Sequence, residues 1–117
     1  MKEYPLLTQI GSKRRASEFS KEENVHEEYA YFYTKDELKE IVEYCHERYI
    51  EVIPEFDIPG HTTSLIAAYP EISCKGENIE TKTKGGIFED ILCVGNPETK
   101  KVIHAVIDEM CEIFTDK

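Results

Sequence analysis

The sequence predicts an α/β chain with the helix–strand–helix pattern of a β/α repeat, and three observations predict it. Leu38, Ile41, Val42 and Cys45 recur at i, i+3, i+4 and i+7, the stripe of a helix with one covered face. An apolar, alternating run follows at once, from Ile50 to Phe56, and leads into Glu55-Phe56-Asp57-Ile58-Pro59-Gly60-His61. A second helical stripe, Ile103, Val106, Ile107, Met110 and Phe114, closes the chain. Helix, strand and helix, with carboxylates and an imidazole at the strand's C-terminal end, is the arrangement in which a β/α barrel carries chemistry. A whole barrel takes about 250 residues, so a chain of 117 cannot be a complete one.

Composition bounds the partners. Apolar residues make up 40% of the chain, enough for one modest core. The formal net charge of -10 argues against nucleic acid and against anionic membrane as partners. No apolar run is long enough to span a bilayer, and Met1-Lys2-Glu3-Tyr4-Pro5 lacks the apolar core of a signal peptide. The compartment is left open. Cys45, Cys74, Cys93 and Cys111 are widely spaced, with no Cys-x-x-Cys, so neither a zinc site nor any other cofactor is expected. Cys45 and Cys111 fall on apolar helix faces and read as core residues. Cys74 and Cys93 flank one loop and could approach each other; a disulfide there needs an oxidising compartment.

The elements follow in order. Residues 1–33 read as an N-terminal connector and 34–117 as the α-β-α segment. Tyr4-Pro5-Leu6-Leu7 and Ile10-Gly11 suggest a short packed turn or helical piece. Ser12 to Glu28 reads as a solvated loop: Lys13-Arg14-Arg15, Lys21-Glu22-Glu23 and Glu27-Glu28 are charges expected to face water. The aromatic cluster Ala30-Tyr31-Phe32-Tyr33 leads into a helix over about 35–48, with Thr34 as N-cap and Glu37 completing a capping box. His46 lies beside its stripe and reads as a boundary residue.

The strand is placed at about 50–56. Period-2 alternation sets Glu51, Ile53, Glu55 and Asp57 on one face and Ile50, Val52 and Phe56 on the other. Pro54 cannot donate to a ladder, so it belongs near the strand's end or edge. Pro59-Gly60 turns the chain, and His61 returns over the strand end. Thr62-Thr63-Ser64 can cap a short helix carrying Leu65, Ile66 and Ala68, which Tyr69-Pro70 ends. Residues 75–86 form a long polar loop. Gly95-Asn96-Pro97-Glu98 starts a helix expected over about 97–115, with Asn as N-cap, Pro at the first position and an acid in the first turn.

On residue chemistry alone, Asp57 before Pro-Gly is more often a turn-capping residue than a catalytic one. His61 is as fit to cap or pack as to act, and Glu55 is uninformative. Two other acid pairs need weighing. Asp108-Glu109 lies on a helix away from its apolar stripe and reads as a solvated face. Glu89-Asp90 lies in a loop between apolar clusters and receives little weight.

The order of these motifs resembles the family 20 glycoside hydrolases, the β-N-acetylhexosaminidases. The resemblance is carried by Tyr33-Thr34-Lys35-Asp36-Glu37-Leu38, by Ile50 through His61, by Ala67-Ala68-Tyr69-Pro70-Glu71-Ile72-Ser73-Cys74, and by Ile91-Leu92-Cys93-Val94-Gly95-Asn96-Pro97-Glu98-Thr99. Tyr4-Pro5-Leu6-Leu7-Thr8-Gln9-Ile10-Gly11 resembles the stretch after the family's second barrel strand. The family usually carries a Trp where Gly85 stands.

The resemblance implies a fragment of a TIM (β/α)8 barrel covering helix 2, strand 3 and helix 3. It implies hydrolysis of terminal N-acetylglucosamine or N-acetylgalactosamine with retention, the substrate's own acetamido oxygen attacking the anomeric carbon. The family's Asp-Glu pair, which orients that group and supplies the acid, follows the fourth strand; the chain is expected to stop before it. His61 and Asp57 would belong to the catalytic carboxylate network, and Glu55 would line the sugar pocket. The expected partners are an N-acetylhexosamine glycan and either the remaining barrel segments or a second copy. By itself the chain is expected to be inactive and marginally stable. The alternative is a non-catalytic remnant, a sugar-binding or assembly module.

Overall fold

The computed structural model describes residues 1–15 and 29–115. Four helices carry the fold: α1 (Leu6–Gln9), α2 (Lys35–His46), α3 (Thr63–Ala68) and α4 (Pro97–Ile113). A two-residue antiparallel pair, β1 (Lys13–Arg14) with β2 (Tyr29–Ala30), ties the N-terminal part together, and a 3-10 turn (Pro70–Ile72) follows α3.

Capping chemistry sets the starts of the two long helices. At α2, the Thr34 hydroxyl accepts from the Glu37 amide at 3.2 Å and the Glu37 carboxylate accepts from the Thr34 amide at 2.7 Å. This is the expected capping box, which satisfies two otherwise orphaned donors. At α4, the Asn96 side chain accepts from the Glu98 amide at 2.9 Å, and its own amide group donates to the Glu71 carbonyl at 2.6 Å. One side chain thus starts the helix and fastens it to the 3-10 turn.

The closed core is small. Ile66, Ile72, Leu92 and Val102 are buried together, with Tyr4, Leu65, Tyr69, Ile79, Ile103 and Val106 packed around them. Each such aliphatic side chain contributes about 1.5–3 kcal/mol of transfer free energy. Inside this core the Thr99 hydroxyl donates to the Ile72 carbonyl at 3.1 Å. The ring of Tyr69 meets Tyr4 edge-on at 5.4 Å, and its hydroxyl accepts from the Leu6 amide at 3.1 Å. The expected helical piece near Leu6 is therefore real, and it docks on α3.

Several expectations need correction. No strand forms over 50–56. Among the described residues, no hydrogen bond involves the backbone of residues 51–58. A strand needs a neighbour to complete its ladder, and no described segment supplies one. The pleat-like alternation survives all the same: Glu51, Ile53, Glu55 and Asp57 are exposed, whereas Val52, Pro54 and Phe56 are half-buried. The stripe of α2 is only half-covered, and Ile41 on it is exposed. Cys45 is half-buried, but Cys111 is exposed and is no core residue. It lies with Val42, Val52, Ile53, Phe56 and Phe114 along an open apolar groove of about 450 Å³ between α2, the 51–58 run and α4.

The basic run Lys13-Arg14-Arg15 is not plain loop. Arg14 lies over the Tyr29 ring at 5.4 Å, and Arg15 reaches Glu80 at 3.2 Å. Lys21-Glu22-Glu23 and Glu27-Glu28 lie outside the described residues. Among the described residues, no helix is long and apolar enough to cross a membrane.

Candidate functional site

Glu55, Asp57 and His61 mark one margin of the molecule. Alternation sends Glu55 and Asp57 outward while Pro54 and Phe56 turn inward, so both carboxylates share an exposed side. The chain then passes the cis Ile58–Pro59 bond. His61 follows with φ of 55°, a left-handed backbone that few non-glycine residues adopt, histidine more readily than most. That conformation reverses the chain between the acidic run and α3, and the imidazole is exposed. None of the three side chains makes a hydrogen bond or ion pair to another described residue.

What supports this margin is better defined than the margin itself. The Pro59 carbonyl accepts from the Thr62 hydroxyl at 2.9 Å and from the Leu92 amide at 3.0 Å. Thr62 is 1% exposed and Leu92 is 1% exposed. A carbonyl has room for two donors, and here both come from the buried side of the turn. The Pro-Gly-His turn is thus pinned to the core through its backbone. The Thr62 hydroxyl reaches back to that turn instead of forward to a helix amide, so the expected side-chain cap of α3 is not made. The sequence signal for this role was the threonine directly after His61, whose hydroxyl can turn either back to Pro59 or forward to α3.

The loop after the 3-10 turn folds over the start of α3. The Lys82 amide donates to the Thr63 hydroxyl at 3.5 Å, and Lys82 pairs with Asp90 at 3.4 Å. Lys75 pairs with Glu89 at 3.7 Å and with Asp90 at 3.9 Å. Glu89-Asp90 therefore serves the loop as a counter-charge. The other acid pair is divided. Asp108 is exposed, whereas Glu109 is half-buried and lies 3.5 Å from Lys35, which also binds Glu112 at 2.8 Å. Glu109 thus joins α4 to α2 and is not simply a solvated face. The hydrogen bond that Lys35 donates to Glu112 raises the Lys35 pKa, and the same contact lowers that of Glu112. His46 is exposed on α2, apart from the margin. Among the described residues, no group of three histidine, cysteine or acidic side chains could hold a metal ion.

Comparison with known proteins gives these residues a context. The model of the glycosyl hydrolase family 20 catalytic domain matches residues 1–117. A beta-hexosaminidase of Akkermansia muciniphila is 41% identical over 112 residues, which is 95% of this chain and 22% of that protein. A beta-hexosaminidase of Porphyromonas gingivalis is 34% identical over 114 residues, covering 97% of this chain and 14% of that protein. A crystal structure of a beta-N-acetylhexosaminidase superposes with a TM-score of 0.86 at 38% identity, over 96% of this chain and 23% of that one. Family 20 catalytic domains are TIM barrels, and the chain spans less than a quarter of each of these relatives. With the family model matched along the whole sequence, the chain belongs to glycosyl hydrolase family 20 and forms part of its catalytic domain.

Proposed function

We propose that these residues form the helix 2, strand 3 and helix 3 portion of a β-N-acetylhexosaminidase that removes terminal N-acetylglucosamine or N-acetylgalactosamine from glycans with retention. The observation that carries this reading is the exposed margin itself. Two carboxylates and an imidazole are presented outward on a turn whose backbone is tied to the core at the Pro59 carbonyl. Side chains that have no partner among the described residues are suited to meet groups beyond them.

In this reading the run 50–56 becomes a barrel strand once parallel neighbours supply its hydrogen bonds, and its C-terminal end is the catalytic face. The substrate's acetamido oxygen attacks the anomeric carbon, and an acid protonates the departing oxygen. The Asp-Glu pair that orients the acetamido group and supplies that proton belongs to the fourth strand of the intact barrel. His61 hydrogen-bonds within that carboxylate network and biases its protonation. Asp57 braces the network, and Glu55 borders the sugar pocket. The turn's rigid backing matters because a misplaced group loses much of its effect in a site of this kind.

The test is release of nitrophenol from an aryl N-acetyl-β-glucosaminide by the intact enzyme, by its His61→Ala form, and by the 117-residue chain alone. His61→Ala is expected to lower kcat by about 10²-fold or more, with a shifted pH profile. The isolated chain is expected to show no turnover above background. Unchanged kcat and pH profile in the variant would remove His61 from the site. Turnover by the chain alone would place the acid among Glu55, Asp57 and the other pairs, and would overturn the assignment to the fourth strand.

A further inference from the structure

His61 sits in a turn that its own backbone does not close. The chain bends over Pro59, Gly60 and His61, yet the Thr62 amide makes no bond to the Pro59 carbonyl. The Thr62 hydroxyl closes the turn in its place, donating to that carbonyl at 2.9 Å. The bond therefore brackets Gly60 and His61. From the other side, the Thr62 carbonyl accepts from the Ile66 amide at 3.0 Å, and Ile66 belongs to the closed core. Thr62 is thus the one residue that joins the histidine turn to the first turn of α3, by its hydroxyl and by its carbonyl. It lies among the most buried residues, so little solvent competes for the hydroxyl. His61 meanwhile keeps a left-handed φ of 55°, a conformation that a side-chain-bearing residue holds where its surroundings impose it.

We propose that Thr62 is a positioning residue for the glycoside hydrolysis assigned above: its hydroxyl keeps the turn closed and so holds the His61 imidazole where it meets the catalytic carboxylates. The inference rests on the reading of His61 as a member of that network. Thr62 itself is buried beneath the margin and acts through the backbone. Removing its hydroxyl leaves the Leu92 amide on the Pro59 carbonyl, so no buried acceptor is orphaned and the fold keeps its partner there. What disappears is the tie across His61. In Thr62→Val a methyl group replaces the hydroxyl, and carbon needs more room against an oxygen than the 2.9 Å of the hydrogen bond. The turn opens, and the imidazole leaves its place. Thr62→Ser keeps the hydroxyl and gives up only the methyl group.

The experiment measures kcat, KM and the pH profile of nitrophenol release from an aryl N-acetyl-β-glucosaminide by the intact enzyme. The forms compared are wild type, Thr62→Val, Thr62→Ser, His61→Ala and the Thr62→Val, His61→Ala double variant. Thr62→Val is expected to lower kcat about tenfold, the size of one lost hydrogen bond. KM is expected to stay within about twofold, because no substrate contact is removed. The pH profile is expected to move in the same direction as in His61→Ala, and Thr62→Ser to stay within about twofold of wild type. In the His61→Ala background, Thr62→Val is expected to add nothing, since the group it positions is gone. Equal losses on both backgrounds overturn the inference, because Thr62 would then act on the fold and not through His61. An unchanged kcat in Thr62→Val, or a serine form as impaired as the valine form, overturns it while His61→Ala remains impaired. An unchanged kcat in His61→Ala instead overturns the reading of His61, and the inference with it. Should the valine form not fold, Thr62→Ala removes the hydroxyl without crowding the carbonyl and completes the same cycle.

Discussion

Glu37 shows how much a single side chain can reveal. Its pKa is lowered, first by the hydrogen bond from the Thr34 backbone amide and then by that from the Thr34 hydroxyl. A carboxyl whose folded pKa lies below its unfolded value, about 4.3, stabilises the fold above that value. This contribution is lost as pH falls through the folded pKa. Thr34→Ala removes the hydroxyl and keeps the amide. The Glu37 pKa, followed by carboxyl NMR shifts, is expected to rise part of the way toward its ordinary value, and α2 is expected to lose about 1 kcal/mol. An unchanged titration would mean that the hydroxyl contributes nothing. This box was legible in the sequence because a cap and its reciprocal acid are a local pattern. The role of Thr62 was not, because its hydroxyl has donors and acceptors on either side and only the fold decides between them.

Between elements, backbone approach decides what is tolerated. A methyl group on Gly11 would meet the Leu7 carbonyl oxygen at 2.7 Å and the Ser64 carbonyl oxygen at 3.0 Å. Neither oxygen can swing aside as a flexible side chain could, so the turn that ends α1 must distort and shift from α3. Gly11→Ala is expected to cost about 1–3 kcal/mol, read as a lower denaturation midpoint in guanidinium. A methyl group on Gly60 would meet nothing within 4 Å, and Gly60→Ala should leave the midpoint nearly unchanged. Equal effects would show that α1 does not rest on α3 in solution. The starts of α2 and α4 were readable from Thr34 and from Asn96-Pro97, whereas the docking of α1 was not, since no local pattern encodes a distant carbonyl. The run 50–56 was misjudged for a related reason. Its alternation is written in the sequence, but its ladder depends on neighbours elsewhere.

At the scale of the whole molecule, α4 has two different sides. Val102, Ile103 and Val106 face the closed core, while Ile107, Met110 and Phe114 line the open groove with residues of the 51–58 run. Ile53 there is 80% exposed. Apolar surface of this kind, beside a backbone without hydrogen-bond partners among the described residues, invites association. The 117-residue chain alone is therefore expected to unfold in guanidinium over a broad transition whose midpoint depends on protein concentration, and to bind an apolar dye. A steep, concentration-independent transition would count against this. Family membership was legible because the motifs keep their order along the chain, even though no residue by itself revealed it.

The double acceptance at the Pro59 carbonyl also makes the Leu92 amide an observer of the turn. That proton is remote in sequence from His61 and belongs to none of the groups proposed to meet a sugar. Its solvent exchange rate and chemical shift should therefore register tightening or loosening of the histidine turn in the unmodified protein. The core thus supplies a native spectroscopic gauge, which could be followed while the margin is left untouched.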